Sequence, residues 1–434
     1  MSEFFIYYLS IFNVIPNNDF LIEFGNNCKL IFPELFLVTS ILILIIYGSL
    51  LSALRKFNFP LITRTIAWFT ILILFFLCIL LFNSYVFYYK NINFCAFGFN
   101  NTLIFDDVAI YLKMIVLIFS MICILIMHNH VLKHQINAFE YFILLLLAIL
   151  GLLLLCSAFD LMTIYLAIEL QSLSFYILAA FKRDSSYSTE AGLKYFILGS
   201  FSSGLLLFGF SFIYGYLGTT NLSDISQLLE HSGQHNIFPL HQLYSINFSE
   251  LISTYFPTRF HAENFNSVIQ IDNDRLLIIL SMFFIASALF FKIAAAPYHM
   301  WSPDVYEGAP TSSTLFFALI PKIVLIVLFF RIFYYAFGDY SVYIKSIISV
   351  VAGLSVVIGS FTALKQRKIK RLFAYSSISH VGYVLMAVCT MSNEGVNAVF
   401  FLFNYLYVNG YRFMVCDFNK RAEQAKYVYY QKHF

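Results

Sequence analysis

Apolar residues along this chain cluster into runs of about 20, separated by short polar links. Runs of that length can cross a bilayer as helices, because a helix rises 1.5 Å per residue. Eleven such runs are read, near 31–53, 61–86, 104–127, 138–158, 161–181, 193–217, 276–297, 312–336, 342–363, 371–391 and 396–416. Five regions follow: an N-terminal segment 1–30, spans one to six in 31–217, a polar insert at 218–275, spans seven to eleven in 276–416, and a polar tail 417–434. The N-terminal stretch lacks both the basic start and the small-residue cleavage site of a signal peptide.

Composition agrees with this pattern. Of 434 residues, 60% are hydrophobic and only 11% are charged, less than half the usual share for a soluble domain. A net charge of +3 gives no basic excess for nucleic-acid binding. The 52 Phe and 30 Tyr beside 18 Gly and 9 Pro carry the mark of an A/T-rich, organellar kind of genome. The seven cysteines are scattered without a CxxC pair, so no iron–sulfur or zinc site and no cofactor is expected in this chain.

Charge in the links predicts orientation. Links after odd-numbered spans carry Arg55, Lys56 and Arg64; Lys133; Lys182 and Arg183; and Lys365, Arg367, Lys368, Lys370 and Arg371. The tail adds Lys420, Arg421 and Lys426, whereas short even links hold Lys90, Asp160, Asp339 and Glu394. The odd links and the tail are therefore expected on the matrix or cytoplasmic side, with the insert opposite.

A charge in mid-membrane costs about 2.5–3.5 kcal/mol on insertion scales, so each such residue asks for a function. Glu169 lies in the middle of the fifth span beside Gln171, Ser172 and Ser174; a structural hydrogen bond is the plain alternative. Lys292 lies deep in the seventh span, with Pro297 and His299 after it. Seven residues separate Lys292 from His299, which would put both on one face of a continuous helix. Proline frees a carbonyl, and a broken helix in a membrane is tolerated where it lines protein or water. Lys322 follows Pro321 about ten residues inside the eighth span. Lys194 opens the sixth span one turn after Glu190, which also suits a surface ion pair. Burial moves lysine and carboxyl pKa values towards neutrality, and histidine titrates there already, so the set suits proton transfer.

The strings DLMTIYLAIELQSLSFYILAAF, STEAGLKYFILGSFSSGLLLFGFSFIYG, FFKIAAAPYHMWSPDVYEGAPTSST and KIKRLFAYSSISHVGYVLMA resemble the subunit 2 family of NADH:ubiquinone oxidoreductase, respiratory complex I. That family is similar to cation/proton antiporter subunits. The resemblance covers most of residues 30–410. It implies an all-α polytopic bundle with antiporter-like inverted repeats, broken helices and proton half-channels. It matches Glu169, Lys194, Lys292, His299 and Lys322, one by one, to the family's proton-relay residues. It implies a multi-pass protein of the mitochondrial inner membrane, a non-redox proton-translocating subunit working with other complex I membrane subunits and lipids. The family has fourteen helices, and its last three, with one more lysine, have no counterpart among the eleven spans. A separate polypeptide supplying them is the expectation; a frameshift or an unspliced reading are the alternatives. A stand-alone cation/proton antiporter and a structural scaffold that no longer pumps are the rival functions.

Overall fold

The computed structural model describes residues 27–53, 61–89, 96–133, 139–233, 263–338 and 340–390. The N-terminal segment before residue 27, the middle of the insert, the span at 396–416 and the tail 417–434 lie outside the described residues. Among the described residues twelve α-helices follow in order: α1 Phe32–Ala53, α2 Leu61–Tyr89, α3 Asp107–Lys133, α4 Glu140–Ser157, α5 Leu161–Ala179, α6 Ser186–Leu217, α7 Leu222–Gly233, α8 Glu263–Ile293, α9 Trp301–Gly308, α10 Thr311–Phe330, α11 Ser341–Leu364 and α12 Ile369–Thr390. Ten of them are long and apolar enough to cross a membrane; α7 and α9 are too short. A small antiparallel hairpin, β1 Ala96–Gly98 and β2 Leu103–Phe105, pairs Phe97 with Ile104.

The bundle is built round α4 and α10, whose span residues are 78% and 72% buried, against 28% for α1 and α11. The outer helices turn Ile43, Phe76, Phe201 and Phe361 outwards. That apolar belt is what a hydrocarbon solvent requires. Local chemistry sets the ends. Asp160 caps α5, its Oδ1 accepting from the Met162 N–H at 2.8 Å. Gly218 stops α6 in the left-handed conformation, φ 74°.

Three predicted elements come out differently. The seventh span is not helical to residue 297. It stops at Ile293, and Ala294 takes φ 64° while Ala294 and Ala295 N–H donate back to Phe291 and Phe290 carbonyls. The chain then runs without helix to α9, so Lys292 and His299 do not share a helix face. The sixth span starts seven residues early, at Ser186, which sets Lys194 two turns inside α6 instead of at its start. The eighth span keeps its length, but its last six residues, Arg331–Ala336, form a π-helical turn. Such turns collect at functional positions.

Candidate functional site

Where α8 breaks, α5, α6, α9 and α10 close round a small cavity of about 10 Å3, roughly the room for one water. Lys292, from the last turn of α8, and Lys322, from the middle of α10, both line it. Gln171 and Ser172 of α5, Tyr195 of α6 and Trp301 of α9 share the wall with apolar residues of α5 and α10. Two lysines that are thirty positions apart in sequence thus meet across one space.

Each lysine has a hydroxyl partner. Lys292 Nζ reaches Tyr176 Oη at 3.4 Å and lies 5.9 Å from that ring's centre. Room for the tyrosine comes from Gly199 on α6: a Cβ there would stand 2.1 Å from Tyr176 Oη. Lys322, only 6% exposed, donates to Ser377 Oγ of α12 at 3.2 Å and lies 6.0 Å from the Tyr306 ring. His380, one turn beyond Ser377, lies within the field of Lys322. Glu169 is half-buried and keeps Oε1 buried without a protein partner. Gln171 Oε1 and His299 Nδ1 are likewise buried without a protein partner. Buried polar atoms of this kind are where ordered water is bound.

The five predicted residues therefore divide. Lys292 and Lys322 meet at the cavity, whereas Glu169, two positions before Gln171 on α5, is not among its lining residues. His299 sits in the non-helical link, buried, its ring 6.4 Å from Tyr375 of α12. Lys194 is separate: 45% exposed, it pairs with Glu190 at 2.6 Å and Asp304 at 3.2 Å in a surface cluster. The surface-pair alternative describes its position. Tyr176, Ser377 and His380 were missed. A sequence signal existed for two of them, in the polar run SSISH within an apolar helix.

Two further ionic locks were also missed. Arg331, in the π-helical turn, grips Asp106 with both carboxylate oxygens at 3.0 and 2.9 Å and donates to the Cys156 carbonyl at 2.9 Å. Lys113 of α3 pairs with Glu34 of α1 at 2.5 Å, with side chains 1% and 4% exposed. Among the described residues, no group of three or more His, Cys, Asp or Glu converges as metal ligands would.

A family model described as NADH:quinone oxidoreductase/Mrp antiporter, TM, matches residues 158–433, which include every residue of the cavity. The chain belongs to that family. It is 35% identical to NADH-ubiquinone oxidoreductase chain 2 of Marchantia polymorpha, over 93% of this chain and 74% of the liverwort protein. It is 38% identical to NADH-quinone oxidoreductase subunit N of Paramagnetospirillum magneticum, over 72% of this chain and 57% of the bacterial one. A chain in the structure of respiratory complex I from Thermus thermophilus with bound aureothin superposes with a TM-score of 0.62 at 25% identity. That match covers 88% of this chain and 70% of the other. The antiporter-like, all-α architecture expected from the sequence is thereby borne out.

Proposed function

We propose that this chain is a non-redox, proton-translocating membrane subunit of NADH:ubiquinone oxidoreductase, resident in the mitochondrial inner membrane with its basic links in the matrix. The carrying observation is the meeting of Lys292 and Lys322 at one buried cavity; Glu169, on the α5 helix that forms part of its wall, keeps a buried carboxylate oxygen without a protein partner. Two ammonium groups in one small apolar space repel, so a proton leaving one favours its return to the other. Tyr176 beside Lys292 and Ser377 beside Lys322 supply hydroxyl groups that pass a proton onward, and His380 adds an imidazole one turn beyond Ser377 on α12. The energy comes from NADH oxidation and quinone reduction in other subunits, which the names of the relatives supply.

The partners are other membrane subunits of the same complex. This chain spans 74% of the liverwort relative. The test of function is the ratio of protons pumped to electrons transferred in the assembled complex. Lys292→Ala or Lys322→Ala should lower that ratio with the complex intact. An unchanged ratio in both variants sinks the reading and leaves a scaffold.

A further inference from the structure

The lysine cavity has an outer neighbour. At the basic end of the bundle lies an open groove of about 160 Å3, lined by Glu190, Lys194, Asp304, Glu307, Lys368 and Arg371. The two spaces share walls on α6 and α9. Lys194 lines the groove, and the next residue, Tyr195, lines the cavity. Tyr195 stacks on Trp301 with ring centres 4.7 Å apart and planes 10° from parallel.

Trp301 is the first residue of α9, and the same short helix sends Asp304 and Glu307 into the groove. The helix is continuous with neither neighbour: a non-helical link from Ala294 precedes it, and Ala309–Pro310 follow it. Its position is fixed mainly by side chains. Asp304 bridges Lys194 of α6 at 3.2 Å and Arg371 of α12 at 2.9 Å. Glu307 pairs with both Lys368 and Arg371. Lys370 donates to the Ala309 carbonyl at 2.9 Å. The Trp301 indole donates to the Phe291 carbonyl at 2.9 Å, which ties α9 to the broken end of α8. At its other end, a Cβ on Gly308 would meet the Tyr187 carbonyl of α6 at 2.4 Å.

We propose that α9 is a hinged partition, closed by the Tyr195–Trp301 stack and latched by the Lys194–Asp304–Arg371–Glu307–Lys368 ion pairs, which controls access from the basic face to the two-lysine cavity. Lys194 is then a positioning residue of the latch, not a member of the relay. Exposed ion pairs are individually weak, about 0.2–1 kcal/mol each. A latch made of several such pairs is firm in sum and open to small changes of charge. The proposal deepens the proton-relay reading, but its test does not depend on pumping.

The test places a cysteine in the cavity wall, Ser172→Cys, in the whole complex reconstituted into vesicles. A membrane-impermeant, cationic thiol reagent is added on the side where NADH drives the enzyme. Modification at residue 172 is followed by mass spectrometry without turnover. In the Ser172→Cys complex alone labelling should be slow. Adding Asp304→Asn with Glu307→Gln removes the four ion pairs without carving any space in the cavity, and should raise the rate about tenfold or more. Trp301→Leu should raise it as well, and Trp301→Phe, which keeps a ring on Tyr195, should not. Labelling that is already fast in Ser172→Cys, or that ignores the Asp304/Glu307 pair of substitutions, overturns the partition. Normal pumping in both Lys292→Ala and Lys322→Ala would remove the relay and leave this result standing, so the two failures are distinguishable.

Discussion

The buried pair Lys113–Glu34 offers a calculation that can be tested without any assumption about pumping. The two side chains lie 79 positions apart, on α3 and α1, and are 1% and 4% exposed. At 2.5 Å and an effective dielectric constant of about 20, their attraction is about 7 kcal/mol. Removing both ions from water costs several kcal/mol each, so the pair as a whole is close to neutral for stability. Lys113 adds about 1 kcal/mol by standing 4.7 Å over the Phe105 ring. The asymmetry appears when one partner goes. Glu34→Gln leaves a buried ammonium uncompensated, and Lys113→Met leaves a carboxylate whose Oε2 already has no protein partner. Each single change should cost about 3–5 kcal/mol. With an unfolding entropy of about 2 cal/mol/K per residue, that is a fall of roughly 3–6 °C in the midpoint of thermal unfolding for a chain of this length. The double variant should recover most of the loss. The assay is the folded fraction of detergent-solubilised complex after brief heating, compared at one heating time because unfolding of such assemblies is irreversible. Single variants as stable as the parent, or a double variant as poor as the worse single, would refute the reasoning.

Two further outcomes follow from the end of α8 and from the latch. Ala294 holds φ 64° without being glycine, which costs about 1 kcal/mol, so Ala294→Gly should raise the heating midpoint slightly and Ala294→Val should lower it by more. Glu307 is pushed up by partial burial but held down more strongly by Lys368 and Arg371, so its carboxyl lies below the usual carboxylate value. A depressed carboxyl contributes stability that is present above its ordinary value, 4.5, and is lost as pH falls through its lower folded value. The difference in midpoint between the parent and Glu307→Gln should therefore hold constant above about pH 5 and close only in stronger acid; a difference that closes between about pH 6 and 8 would contradict the assignment.

How far the sequence could be read depended on whether the information was local. The ten described spans were legible because an apolar run is a property of neighbours in sequence, and their positions hold to within a few residues except at α6 and α8. The break in the seventh span was legible from Pro297, yet it falls four residues earlier. Ala294 turns left-handed and closes the helix on Phe290 and Phe291 before the proline is reached. Lys292 and Lys322 stood out because each is a lone charge in an apolar stretch. Their partners did not, since hydroxyls are common on membrane helices and Tyr176 and Ser377 lie 116 and 55 positions from the lysines they meet. Lys194 is the opposite case. Its neighbour Glu190 is visible one turn away, but Asp304, 110 positions on, is met only across helices. Glu34 and Lys113 escaped notice because each sits within two turns of a helix start, where a charge reads as an end-marker. Folding brings those two starts together and covers both. In a membrane bundle an isolated charge can therefore be found from sequence, but the residue it meets across helices cannot.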